Sequence, residues 1–156
     1  MFQAKAKIIY NKRVNHKYLY LLIREPRIAK EASAGQFLNI KVSDNFEPFL
    51  RRPFSIHRVN GVNIEVLYEV IGMATQILSQ KKAGAYLDVI GPLGKGFDYE
   101  LRLPAGQAGV TPACRTGRRF GLRILVGGGM GVAPLIFLSE KLTEIKNQKS
   151  KIKILF

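Results

Sequence analysis

From the N-terminus, apolar and polar positions alternate in short runs: Gln3–Tyr10, Tyr18–Arg24, Gln36–Val42, Phe54–Val59, Asn63–Val70 and Tyr86–Ile90. These runs are rich in Ile, Val, Leu, Tyr and Phe, and a period of two in such residues predicts β-strands. Turn chemistry separates them at Asn15-His16, Glu25-Pro26, Ala34-Gly35, Ser43-Asp44-Asn45 and Asn60-Gly61. Six strands at this spacing predict a small six-stranded antiparallel β-barrel. One helix interrupts them at Thr75–Ala83, with Ile77 and Leu78 apolar, Lys81 and Lys82 in its last turn and Gly84 placed to stop it.

After Leu103 the pattern changes. Pro104–Arg119 (PAGQAGVTPACRTGRR) has no apolar period and reads as an exposed linker or insertion. Beyond it, Leu122–Val126 is a compact apolar strand, Gly127–Gly131 a glycine turn, Ala133–Ile145 has helical spacing and Ile152–Phe156 begins another strand. That order is the opening of a parallel βαβ unit and the start of an α/β dinucleotide-binding domain. The expected organisation is a barrel over 1–103, a basic Gly/Pro-rich insertion over 104–120, and the first βαβ of a truncated nucleotide domain over 121–156. A terminal apolar strand without neighbours predicts poor solubility.

Composition sharpens this only in places. The 156 residues, 47% hydrophobic and 23% charged, suit a folded chain and exclude a disordered or collagen-like one. No apolar run approaches the roughly 18–20 residues of a membrane span, and Met1–Lys12 carries no signal-peptide core, so the expected location is the cytoplasm, with no membrane partner. The one cysteine, Cys114, forbids an intrachain disulfide and cannot alone hold a metal; it reads as an inert loop thiol. His16 and His57 read as surface or hydrogen-bonded residues. Twenty-five Lys and Arg against eleven Asp and Glu give a net charge of +14, which attracts polyanions. The basic residues are dispersed, however, and the denser stretches Arg115–Arg123 and Lys141–Lys153 lack the interleaved aromatics of a base-stacking platform.

Four motifs carry candidate chemistry. Gly127-Gly128-Gly129-Met130-Gly131-Val132-Ala133-Pro134 lies between a strand and a helix, where glycines let backbone approach a ligand and the helix N-terminus favours a pyrophosphate. Pro134 stands where the dinucleotide fingerprint has its third glycine, so the match is to a variant. Arg51-Arg52-Pro53-Phe54-Ser55 offers guanidinium forks, a hydroxyl and a flat ring, a set able to grip an aromatic nucleotide. Gly72-Met73-Ala74-Thr75 opens the short helix with a hydroxyl, and Gly91-Pro92-Leu93-Gly94-Lys95-Gly96-Phe97 is a glycine turn after the last barrel strand. Each has a bland alternative: a ligand-free turn, a solvated strand edge, a plain cap, a loop.

Their order along the chain resembles the ferredoxin–NADP reductase-like flavoproteins, and within them most closely the electron-transfer subunit of dihydroorotate dehydrogenase B. The resemblance rests on Gly35-Gln36-Phe37, Leu50–Ile56, Leu67-Tyr68, Gly91–Phe97 and Leu125–Leu135. It implies an FAD site at Arg52, Pro53, Phe54, Ser55, Leu67, Tyr68, Glu69, Ala74 and Thr75, with Arg52, Ser55 and Thr75 as the main contacts. It further implies an incomplete NAD site at Gly127, Gly128, Gly129 and Gly131, with no side chain acting as acid or base because the flavin carries the chemistry. In such a subunit electrons from dihydroorotate pass through a [2Fe-2S] cluster and FAD to NAD in pyrimidine biosynthesis. The cluster's four cysteines lie in a segment absent from this chain, and the partner is the catalytic dihydroorotate dehydrogenase subunit in a heterotetramer.

Two positions depart from that pattern. Glu69 stands where a basic residue is usual and would repel a pyrophosphate, and Ala74 replaces a glycine, so the expectation is weakened FAD binding rather than none. Two alternatives remain: the FAD subunit of an NAD(P)H-dependent ferredoxin reductase, and, in another class, a basic β-barrel that binds nucleic acid. The first resemblance predicts no nucleic-acid partner.

Overall fold

The computed structural model describes residues 1–45, 47–98, 123–144 and 152–155. Cys114 and the segment 104–120 lie outside the described residues, as do Leu122, Ile145 and Phe156 at the ends of expected elements.

Strand β1 (Phe2–Arg13) buries Ala4, Ala6 and Ile8 and turns Lys5 and Lys7 to solvent, while β2 (Tyr18–Arg24) buries Leu19, Leu21 and Ile23. Strict alternation of this kind commits one face to the core, because a slip of one residue would invert every side chain. With β3 (Phe37–Lys41), β4 (Arg52–Ser55), β5 (Arg58–Asn60), β6 (Asn63–Glu69) and β7 (Tyr86–Leu93) these strands form one sheet in the order β4-β3-β7-β1-β2-β6-β5, every pair antiparallel.

The expected antiparallel barrel is present as a curled sheet, but with seven strands rather than six. The run Phe54–Val59 is not one strand. The Ile56 N–H donates to the Gln36 carbonyl beside β3 at 3.0 Å, whereas the next N–H, of His57, donates to the Glu65 carbonyl on β6 at 2.9 Å. The chain thus leaves one edge of the sheet and joins the other between two consecutive residues. Both are buried, which breaks the alternation and closes the curl.

Pro26 starts a helix rather than a simple turn. In α1 (Pro26–Glu31), Pro26 occupies a first-turn position where its missing N–H costs nothing, and Glu25 caps the end by accepting from the Arg27 N–H. Ile28 and Ala29 are buried there against the sheet. The short helix α2 spans Met73–Gln80, ending before Ala83 because Lys81 is already extended. Gly84, with φ of +89°, serves the following turn: its N–H donates to the Ile8 carbonyl at the entry to β7.

Strand β7 runs on through Gly91-Pro92-Leu93, where the sequence predicts a glycine turn, so the loop is confined to Gly94–Phe97, and it is a packing device. Phe97 donates its N–H to the Ala34 carbonyl and Gln36 Nε2 donates to the Gly94 carbonyl, each at 2.8 Å. A Cβ on Gly35, whose φ is +93°, would lie 2.9 Å from the Phe97 backbone nitrogen, so only glycine lets the loop sit down on this turn. The sequence strings Gly35-Gln36-Phe37 and Gly91–Phe97 are two sides of one contact.

Strand β8 (Arg123–Val126) is followed by a 3-10 turn at Gly129–Val132, helix α3 (Ala133–Glu144) and β9 (Ile152–Leu155), which pairs parallel with β8. The last strand therefore has a neighbour in β8. Phe137, Leu138 and Leu142 of α3 belong to the same apolar core as the barrel residues. No helix among the described residues is long and apolar enough to cross a membrane.

Candidate functional site

The ends of β4 and β6 and the start of α2 enclose a cavity of about 500 Å³, within the range of small-molecule and cofactor sites. Its lining includes Arg52, Pro53, Phe54, Ser55, Leu67, Tyr68, Glu69, Ala74 and Thr75, all nine residues expected at a flavin site. Ile71, Gly72, Met73, Met130 and Ala133 complete it. Ile71 and Met73 are exposed apolar side chains at its edge.

The two arginines of the Arg-Arg-Pro string separate in role. Arg51 turns to β7, where Nη2 lies 2.6 Å from Asp88 Oδ2 and Nη1 donates to the Asp88 carbonyl at 2.9 Å. Gln3 also donates to both Asp88 carboxylate oxygens. Partial burial pushes the Asp88 carboxyl upward, but the hydrogen bonds from Arg51 and Gln3, with the Arg51 charge, outweigh it and hold the group below its ordinary 3.8. A depressed carboxyl contributes stability above the unfolded value that is lost as pH falls through the folded one. Urea unfolding of the wild type below pH 4 should therefore show an acid loss that Asp88→Asn does not, with Asp88→Asn about 1–2 kcal/mol less stable near neutrality. Equal acid slopes in the two proteins would remove the pair from the account.

Arg52 is the arginine left for the cavity. Only Nη1 is engaged, with the Leu50 carbonyl at 3.1 Å and the Arg51 carbonyl at 3.4 Å, so most of its five N–H donors remain available. Among the described residues the Ser55 hydroxyl and the Glu69 carboxylate, which line the same space, have no hydrogen-bond or ion-pair partner. Phe54 and Tyr68 meet edge to face beneath them, ring centroids 5.9 Å apart.

Thr75 and Tyr68 have their hydroxyls committed elsewhere. Thr75 Oγ1 accepts from the Ile71 and Gly72 N–H groups and donates to the Gly72 carbonyl, which exhausts its capacity. The Tyr68 hydroxyl, pushed up to about 12 chiefly by burial, donates to Asn11 Oδ1, and Asn11 Nδ2 donates to the Leu78 and Lys81 carbonyls at the far end of α2. Both residues therefore set the pose of α2 instead of offering hydroxyls. What α2 offers a ligand is its first backbone N–H groups, at Met73, Ala74 and Thr75, which have no partner within the helix. Asn11 gave no sign in the sequence; its role depends on β1 passing behind the helix.

The glycine turn reaches the cavity through Met130 and Ala133, not through its glycines. A Cβ on Gly127 would meet Leu135 Cδ1 at 2.8 Å and Val132 Cα at 3.1 Å, so Gly127 is needed for close packing of the turn on α3. Gly128, Gly129 and Gly131 face open space, and Gly129 has φ of +53°. Among the described residues no group of three or more His, Cys, Asp or Glu is arranged to hold a metal.

No protein-family model matches the chain. It is 37% identical over 151 residues to the dihydroorotate dehydrogenase B (NAD(+)) electron transfer subunit of Desulforamulus reducens, covering 95% of this chain and 50% of that relative. With the subunit of the same name from Bacillus pumilus it shares 35% over 146 residues, 92% of this chain and 51% of the relative. By sequence the chain is similar, over nearly all of its own length, to dihydroorotate dehydrogenase B electron-transfer subunits. It spans about half the length of the curated relatives it matches. Among solved structures, the NADH-dependent reduced ferredoxin-NADP oxidoreductase, described in terms of flavin-based electron bifurcation, superposes with a TM-score of 0.74 at 25% identity over 97% of this chain and 47% of that one. The curled antiparallel sheet followed by a βα unit is thus the architecture of ferredoxin reductase-like proteins.

Proposed function

We propose that the cavity between β4, β6 and α2 binds FAD, and that the chain works as the flavin-carrying part of a dihydroorotate dehydrogenase electron-transfer subunit. The observation that carries this reading is the convergence of Arg52–Ser55, Leu67–Glu69 and Ala74-Thr75, three segments distant in sequence, on one cavity of cofactor size. Their chemistry fits the group in all but one position: a guanidinium and helix N–H donors for phosphate, a hydroxyl, and an aromatic and aliphatic wall. Glu69 is the exception, a carboxylate in the same space.

A bound flavin supplies the step between two-electron and one-electron transfer. The chain's own residues position and shield it. Arg52 neutralises phosphate charge, Ser55 offers one hydrogen bond, Phe54 and Tyr68 exclude water from below, and the Asn11–Tyr68 pair holds α2 so that its N–H groups keep their aim. Gly128, Gly129 and Gly131 face open space in which a dinucleotide could approach the backbone of the turn, consistent with NAD as the second nucleotide. The same reading takes 1–103 as the flavin domain, 104–120 as an insertion and 121–156 as the opening of the nucleotide domain. It also takes the catalytic dihydroorotate dehydrogenase subunit as the partner, in a heterotetramer.

Titrating the purified chain with FAD, followed by flavin absorbance and fluorescence, should show saturable 1:1 binding. FMN should bind more weakly because it lacks the second phosphate and the adenosine. An absence of any flavin affinity would overturn the reading.

A further inference from the structure

His57 and Arg58, consecutive residues at the crossing from β4 to β5, both reach α3. Only 3% of His57 is exposed, and its Nδ1 lies 2.7 Å from the Ala133 carbonyl oxygen. A carbonyl can only accept, so the Nδ1 proton is donated to it. Burial lowers the affinity of this imidazole for a second proton, with the Ala133 contact pulling the other way, and its ring packs 5.2 Å from that of Tyr20. Arg58 Nε lies 2.7 Å from Glu140 Oε1, seven residues and two helical turns beyond Ala133 on the same face of α3, about 10 Å along its axis. Phe137, between these two points on that face, is buried in the common core. Arg58 is steadied in turn by Glu65, whose Oε2 is 3.8 Å from its Nη1 and whose Oε1 accepts from the Tyr10 hydroxyl at 2.8 Å. Burial pushes that tyrosine up to about 12, so it remains a donor.

We propose that His57 and Arg58 form a two-point latch that fixes both the height and the rotation of α3 on the barrel, and so holds Met130 and Ala133 as the closing wall of the cavity. Phe137, Leu138 and Leu142 hold α3 against the barrel by non-directional apolar contact, and two directional contacts two turns apart on one face add a fixed height and rotation. His57 and Arg58 are positioning residues, acting through Ala133 and Glu140. The consequence for a cofactor rests on the flavin reading, but the latch itself belongs to the ligand-free chain.

Hydrogen–deuterium exchange on the ligand-free full chain tests it without involving flavin. His57→Phe keeps an aromatic ring and removes the donor, and should speed exchange of the Ala133–Glu144 amides about tenfold while those of β1 and β2 keep their rates. His57→Asn, which retains an N–H donor near the Nδ1 position, should restore much of the protection. Unchanged exchange in α3 for His57→Phe, or His57→Asn behaving like His57→Phe, overturns the proposal. If His57→Phe loosens the whole barrel, Arg58→Gln decides: faster exchange confined to α3 supports the latch, and no change in α3 overturns it. Failure of FAD to bind the wild type would remove the flavin reading and leave these exchange results standing.

Discussion

Arg52→Ala is expected to weaken FAD binding by roughly 10- to 100-fold while leaving the fold intact. Among the described residues lining the cavity the guanidinium is the one cationic side chain, and a charge-assisted hydrogen bond to phosphate contributes about 1.5–3 kcal/mol. Among the described residues the Arg52 side chain bonds only to neighbouring backbone carbonyls, so its removal strands no buried partner there. Arg51→Ala should behave in the opposite way. It breaks the contact with Asp88 and lowers stability, with little direct effect on flavin affinity in the protein that remains folded. Fluorescence titration of both variants, with urea unfolding alongside, separates the two roles. Equal flavin affinities for wild type and Arg52→Ala would show that phosphate is not held at β4.

Glu69→Arg is expected to tighten FAD binding about tenfold. A carboxylate and a phosphate some 6 Å apart at an effective dielectric of about 20 repel by roughly 3 kcal/mol, which water and salt reduce to about 1–2 kcal/mol at an open site. Reversing the charge removes this repulsion and adds an attraction. Glu69→Gln removes the repulsion alone and should fall between the two. The gain should shrink as salt is raised, and with riboflavin, which has no phosphate, the three proteins should bind alike. A Glu69→Arg protein that binds FAD more weakly than the wild type would mean that the carboxylate accepts a hydrogen bond from the ligand.

Much of the architecture could be read from the chain because its causes are local. Alternation in β1 and β2 reflects a pleat with one buried face, and the strand–glycine turn–helix order at Arg123–Glu144 reflects the short connection a βα unit needs. The break within Phe54–Val59 was not readable. It follows from where Ile56 and His57 find carbonyl acceptors, on Gln36 beside β3 and Glu65 on β6, toward opposite edges of the sheet. Pro26 looked like a turn because its neighbours have no helical period long enough to announce six residues of helix.

The site shows the same division. Arg52, Ser55, Glu69 and the start of α2 could be chosen as candidates by side-chain type and order, since a phosphate-bearing ring system calls for cations, hydroxyls, free N–H groups and flat apolar surface. Which hydroxyls are free could not be chosen that way. Thr75 and Tyr68 carry the right groups, yet both are used up, one capping α2 and the other bonded to Asn11. His57 looked like an ordinary histidine until the fold buried it against Ala133. By itself, then, the sequence determined the strands, the βα unit and the residue types gathered around the cavity, because these follow from periodicity and side-chain chemistry. Only the tertiary structure decided which arginine faces the cavity, which hydroxyls are spent and what holds α3 in place, because each depends on a hydrogen-bond partner supplied by a distant part of the chain.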